Sequence, residues 1–227
     1  MSSQNRKKQR KVESIESPQK IYIFCEGKET EPNYFESFKK EISKNPIYKN
    51  TVTIEVEGLG KETLRVVEYA ENYLKDKNIA GAQVWCVYDK DSFPEQDFNN
   101  AYYKVADLNK RGLNKFYAAW SNQCIEYWFI LHFDYYDSDN DRSQYISYLN
   151  EKFKRLGLEK YKKNNAENFN ILMQFGNPRQ AIARAIKRIK LFESKTPSQS
   201  SPATLVYLLV LELSKYLPDL LKGNFVN

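Results

Sequence analysis

Two short apolar runs in this chain end abruptly in acid. Lys20–Cys25 reads KIYIFC before Glu26, and Gln83–Tyr88 reads QVWCVY before Asp89-Lys90-Asp91. Runs this short, rich in β-branched and aromatic residues, predict buried parallel strands that deliver carboxylates from their C-terminal ends. The period changes between and after them. Gly27 permits a tight turn, and Thr30-Glu31-Pro32 predicts a helix start, with Thr30 as N-cap and Glu31 or Pro32 in the first turn. Tyr34, Phe35 and Phe38 supply that helix's apolar face. TVTIEV at 51–56 alternates as a strand, and Leu64, Val67, Tyr69 and Leu74 mark a helix over about 61–76. Phe93-Pro94 opens another helix over about 95–110, and LNKFYAA at 113–119 predicts a further strand. Strands alternating with helices predict an α/β fold, a mostly parallel sheet flanked by helices.

The pattern shifts after about residue 120. CIEYWFILHF at Cys124–Phe133 predicts one apolar helix, with Asn122 as its cap. Residues 141–155 and 177–193 predict two more helices, the second strongly basic. Ser194–Pro202 predicts a loop, and ATLVYLLVLELSKY at 203–216 a buried closing helix. The expected organisation is a disordered basic tail over 1–18, an α/β core over 19–120, and a helical C-terminal lobe over 121–227 packed on that core.

Charge sharpens this division. The 227 residues carry net +6. The first twelve hold five basic residues and no acid. Residues 13–150 hold 16 basic and 23 acidic residues, whereas 151–195 hold 12 basic and 4 acidic. An acidic half joined to a basic half suits a metal site beside a phosphate-binding surface, although lysine-rich helices are ordinarily solvated faces. No apolar run reaches the roughly 20 residues of a membrane span. Cys25, Cys86 and Cys124 are too few and too scattered for a disulfide framework or a zinc site, which fits a reducing cytoplasm.

Glu26, Asp89 and Asp91 are the candidate site. Ligands of open α/β sheets bind outside the carboxyl ends of the strands. Three carboxylates meeting there repel one another and favour a hard, oxygen-loving cation such as Mg²⁺ or Mn²⁺. Such a cation suits phosphodiester hydrolysis, which needs neutralised phosphate oxygens, an activated water and help for the leaving oxygen. Asp89 and Asp91 would hold the metal. Glu26 would be a third ligand, or a general acid/base if its neighbours raise its pKa. Glu126, within an apolar helix, is either a fourth acid of the site or a buried carboxylate that caps or pairs with an arginine. Lys28 and Lys90 are candidate phosphate contacts. Arg179, Arg184, Lys187 and Arg188 of the basic helix are candidate nucleic-acid contacts. His132, the single histidine, reads as a core residue rather than a general base. No Walker-type phosphate loop is present, so any ATPase function must come from a partner.

A strand–Glu–Gly–turn–helix unit followed by a strand ending in Asp-x-Asp resembles the TOPRIM domain. Four longer strings resemble RloB-like proteins, in that family's order: CEGKETEP with Tyr34-Phe35, DKDSF at 89–93, SNQCIEYW at 121–128, and SPAT at 201–204. The third departs slightly, with Gln123 where family members often carry proline. The resemblance implies a TOPRIM-like fold and a defence-linked nuclease of bacterial restriction loci, encoded beside an ATPase partner. The other open reading is a non-catalytic adaptor or sensor with the same fold, binding nucleic acid or protein without cutting.

Overall fold

The computed structural model describes residues 18–225. The tail expected over 1–18 therefore lies, through residue 17, outside the described residues.

The first half alternates strand and helix as its pattern requires: β1 (Gln19–Cys25), α1 (Thr30–Ser43), β2 (Val52–Gly58), α2 (Thr63–Asp76), β3 (Gln83–Asp89), α3 (Glu95–Lys110) and β4 (Lys115–Asn122). The second half contributes α4 (Glu126–Leu131), α5 (Arg142–Arg155), α6 (Asn168–Phe175), α7 (Pro178–Lys190), β5 (Ala203–Thr204), α8 (Val206–Ser214) and α9 (Asp219–Lys222). The five strands lie in the order β2-β1-β3-β4-β5. All pair in parallel except β5, which runs antiparallel to β4. This is a mixed α/β architecture consistent with a Rossmann- or TOPRIM-like fold.

The order places a topological switch point between β1 and β3. From β1 the chain steps outward to β2, then returns to β3 on the other side of β1. Crevices at such points, outside the strand carboxyl ends, are where open α/β sheets bind ligands. Glu26 follows β1 and Asp89 ends β3, so both acids stand at this crevice.

Strand alternation decides which way each acid faces. Tyr22, Phe24, Val84, Cys86 and Tyr88 pack on one face with Val66, Val67 and Ala70 of α2 and Phe98, Ala101 and Val105 of α3. Ile21, Ile23, Trp85 and Val87 pack on the other, with α1, α4, α7 and α8. Asp89 continues the Trp85–Val87 row and turns toward α4 and α5. Glu26 continues the Tyr22–Phe24 row and turns toward α2. Each large side chain sealed in these layers, such as Tyr34, Phe98 or Trp128, contributes roughly 1.5–3 kcal/mol of burial.

Several local expectations change. Thr30 is the first helical residue of α1, not its cap; Glu29 precedes it and no side chain caps the helix. Gly27 makes no left-handed turn; a Cβ there would stand 2.3 Å from Glu31 Oε2, so the end of that side chain would have to shift. Asn122 does not cap α4. Its amide donates to the carbonyls of Pro197 and Ser198, and Asp89 Oδ2 accepts the Ile125 N–H at the head of α4 instead. The regular part of α4 is shorter than the apolar run, with turns on either side. The second half is not wholly helical, because Ala203 and Thr204 leave the expected closing helix to pair with β4. Thr204 Oγ1 bonds Trp120 O and accepts from Val206 N, so it stops the strand and starts α8.

Candidate active site

Glu26, Asp89, Asp91 and Glu126 line one pocket of about 320 Å³, joined by Glu31, Glu62, Lys61, Arg142 and Lys163. Six acids therefore face three cations. Glu26 Oε2 accepts from the Asp89 backbone N–H at 3.1 Å and from Thr63 Oγ1 at 3.4 Å. These bonds tie the end of β1 to the end of β3 and the head of α2. Asp89 is buried. Its Oδ2 accepts from Ile125 N and from Arg142 Nη2, at 3.2 and 3.1 Å, while Oδ1 has no partner. Arg142 Nη2 also meets Asp91 Oδ2 at 2.6 Å. Asp91 takes a φ of +40°, a region that non-glycine side chains rarely enter. Its N–H donates to Gln123 O, which holds the turn. Strained, over-determined backbone of this kind clusters at functional sites.

The electrostatics follow from crowding and burial. Burial, reinforced by Glu31 and Asp91, pushes Glu26 up to about 8 against the Asp89 N–H and Thr63 bonds. Burial, with Glu126 beside it, pushes Glu31 up to about 7. Asp89 is held well above its ordinary range by burial, then by Glu31 and Glu26. Asp91 is also raised by burial, although Arg142 and Lys163 oppose it. Burial disfavours charge on Arg142, but Asp89 and Asp91 outweigh it and hold that pKa above its usual value. The pocket is thus short of positive charge.

Glu126 is a fourth candidate acid at the pocket and, among the described residues, makes no ion pair with an arginine. Tyr161 OH donates to its Oε1 at 3.1 Å, and Lys163 Nζ stands 3.7 Å away. His132 is buried and outside the pocket; its Nδ1 lies 3.0 Å from Trp128 O, and burial lowers its pKa to about 4. Lys28 is exposed and its stem covers Gly60, where a Cβ would meet its Cε at 2.4 Å. Lys90 turns back to Phe93 O at 2.6 Å and braces the acidic turn.

None of the α7 cations lines the pocket. Arg188 is the clearest correction to the expected nucleic-acid set. It is buried, its Nε donates to Pro202 O, and its guanidinium packs over Phe192, so it offers nothing to a phosphate. Arg184 donates to Leu131 O and Arg179 to Gly223 O, which ties both to neighbouring elements. Lys187 is exposed and lies over Tyr135. Arg184 and Arg188 of α7 thus turn into a seam, whereas Arg179, Lys187 and Lys190 are exposed.

Sequence reasoning missed Glu31, Lys61, Thr63, Arg142 and Lys163 as site residues. Arg142 carried one signal. It occupies the first turn of α5, where the helix dipole disfavours a cation, so a nearby anion was implied.

The donor set fits a hard divalent cation. It consists of oxygens, its acids repel, and Asp89 Oδ1 is a buried acceptor without a donor. Among the described residues no three acids already surround a single point closely enough to hold an ion, and Arg142 supplies the positive charge instead.

A mostly parallel α/β sheet with an acidic pocket at its switch point defines the class. The family follows from comparison. The model of the RloB-like protein family matches residues 21–213, and the chain belongs to that family. Comparison with curated proteins and with solved structures finds no match. Among the described residues no helix is long and apolar enough to cross a membrane, and Cys25, Cys86 and Cys124 are free and buried.

Proposed function

We propose that this protein is a Mg²⁺- or Mn²⁺-dependent nuclease that hydrolyses phosphodiester bonds of DNA or RNA, in bacterial anti-phage defence and with an ATPase partner. The observation that carries the chemistry is that Glu26, Asp89 and Asp91 line one pocket at the β1/β3 switch point and that Asp89 Oδ1 has no partner among the described residues. The defence setting and the partner rest on the family alone.

Glu26, Asp89 and Asp91 would hold the cation, which would neutralise phosphate oxygens and lower the pKa of a bound water. The remaining work belongs to the chain. Glu26 is either that third ligand or, off the metal, a carboxyl that burial pushes up to about 8 and so suits to exchanging a proton with water or a leaving oxygen. Lys61 and Lys163 at the pocket wall would draw in a polyanion against the acidic floor.

The Arg142 bridge favours a second reading. An arginine that already neutralises Asp89 and Asp91 is what a purely structural ion cluster would contain, as in a non-catalytic adaptor or sensor. Melting with and without Mg²⁺ or Mn²⁺, on wild type and Asp89→Ala/Asp91→Ala, separates the two. A nuclease gains stability from metal by mass action, loses that gain in the double variant, and loses cleavage with it. Absence of any metal shift in wild type at millimolar concentration would favour the adaptor.

A further inference from the structure

The acidic pocket contains two unsatisfied atoms of opposite kind. Asp89 Oδ1 is a buried acceptor without a donor, and Arg142 Nε is a buried donor without an acceptor. Leaving a buried group unpaired is unfavourable, so the Asp89 oxygen marks a place for something else. The Arg142 ion pairs explain neither orphan, because one nitrogen, Nη2, makes both contacts, to Asp89 Oδ2 and Asp91 Oδ2. A guanidinium carries five N–H donors in a planar fork matched to carboxylate or phosphate. Here Nε makes no bond among the described residues, but it is sealed from solvent, and Nη2 already holds both acids.

Arg142 is also held where a ligand could reach it. Asp141 and Gln144 form a capping box that fixes the start of α5, and Arg142 is the first residue of that helix. The side chain is 35% exposed and lines the pocket, while its carboxylate partners are far more buried.

We infer that Arg142 is the phosphate-binding residue of this pocket, resting on Asp89 and Asp91 through Nη2 and taking a phosphate group on the exposed part of its guanidinium when a divalent cation satisfies the acids. This deepens the nuclease reading and rests on it. A cation would pair the Asp89 oxygen, and a phosphate would pair the donors of Arg142 that the acids leave exposed. The ligand chemistry is therefore a metal-associated phosphate, from a nucleic-acid backbone or from free phosphate.

The test uses full-length protein, with Mg²⁺, inorganic phosphate and a short single-stranded phosphorothioate oligonucleotide as probes. Melting shifts and fluorescence anisotropy are read on wild type, Arg142→Ala and Arg142→Lys. Arg142→Ala removes the cation that bridges buried Asp89 and half-buried Asp91, so Arg142→Lys, which keeps the charge and loses the fork, is the decisive variant. The expected result is oligonucleotide binding at least about tenfold weaker in Arg142→Lys, with a salt slope shallower by about one in folded Arg142→Ala. The Mg²⁺-induced melting shift should persist in both. If inorganic phosphate reproduces the Arg142 dependence and the oligonucleotide does not, the source is free phosphate. Wild-type oligonucleotide and phosphate affinities in Arg142→Lys would overturn the inference while leaving the metal site intact. Loss of the Mg²⁺ shift in Arg142→Lys would also overturn it, making the arginine a support for the acids. A wild type that responds to neither Mg²⁺ nor phosphate would sink the nuclease reading itself.

Discussion

The backbone N–H of Asp89 donates to the carboxylate of Glu26 at 3.1 Å, across the point where the sheet order reverses. One bond thus sets the spacing of the two acids that the sequence marks most strongly. It draws the Glu26 carboxyl into the crevice, where burial and its neighbours raise its pKa.

That raised pKa makes apo stability depend on pH with a definite sign. Glu26 binds its proton up to about 8 in the folded chain, and Glu31 up to about 7, against 4.5 for each as the ordinary value. Between those limits the folded state carries more protons than the unfolded state, so unfolding free energy falls as pH rises. In EDTA, the contribution of these groups should be full below about pH 4.5 and lost on approach to pH 8. Glu26→Gln should flatten the slope of melting temperature against pH across that window. An unchanged slope would mean that Glu26 ionises normally.

Gly27 and Glu31 should couple energetically. A Cβ at position 27 would lie 2.3 Å from Glu31 Oε2, so Gly27→Ala must push that carboxylate aside. Urea denaturation should show a loss of about 1–3 kcal/mol for Gly27→Ala in wild type. In a Glu31→Ala background most of that loss should vanish, a non-additivity that only contact between the two positions produces.

Tyr161→Phe should destabilise the fold. The phenol is the hydrogen-bond donor to the buried Glu126 carboxylate, and Lys163 at 3.7 Å is the nearest cation. Losing a hydrogen bond to a charged group costs about 1.5–3 kcal/mol. Equilibrium denaturation reads the effect directly. A neutral result would imply that Glu126 finds another partner.

Arg188→Ala and Lys187→Ala should part company although they are adjacent. Arg188 is buried against Pro202 O and Phe192, so its removal should cost on the order of 1–3 kcal/mol. Lys187 is exposed, and its removal should change stability by no more than about 0.5 kcal/mol. Equal and small losses in the two would restore Arg188 as a surface cation.

The sequence by itself determined the strands and the floor of the pocket. Short apolar runs ending in Glu26 and Asp89 can be read in one dimension, because a buried parallel strand is continuous in the chain and its terminal acid comes next. Helix α3 was legible for the same reason, from Phe93-Pro94 onward. Short elements were not: α6, α9 and the two-residue β5 carry too few positions for a period to show. The apolar run around α4 overstated its regular length. The head of that helix is satisfied by Asp89, 36 residues upstream, rather than by a neighbour such as Asn122.

The walls of the pocket were decided only by tertiary structure. Glu31, Arg142 and Lys163 reach the crevice from α1, α5 and the segment between α5 and α6, and Thr63 at the head of α2 bonds Glu26 from behind. Apart from the arginine in the first turn of α5, nothing local distinguishes them from other polar residues at helix starts or in loops. The same holds in reverse for Arg184 and Arg188, which look like a solvated basic face until packing directs them onto the carbonyls of Leu131 and Pro202. Hydrophobic period reports which residues are buried. Which charges then meet, and what each must be paired with, depends on distances between segments that the chain order does not encode.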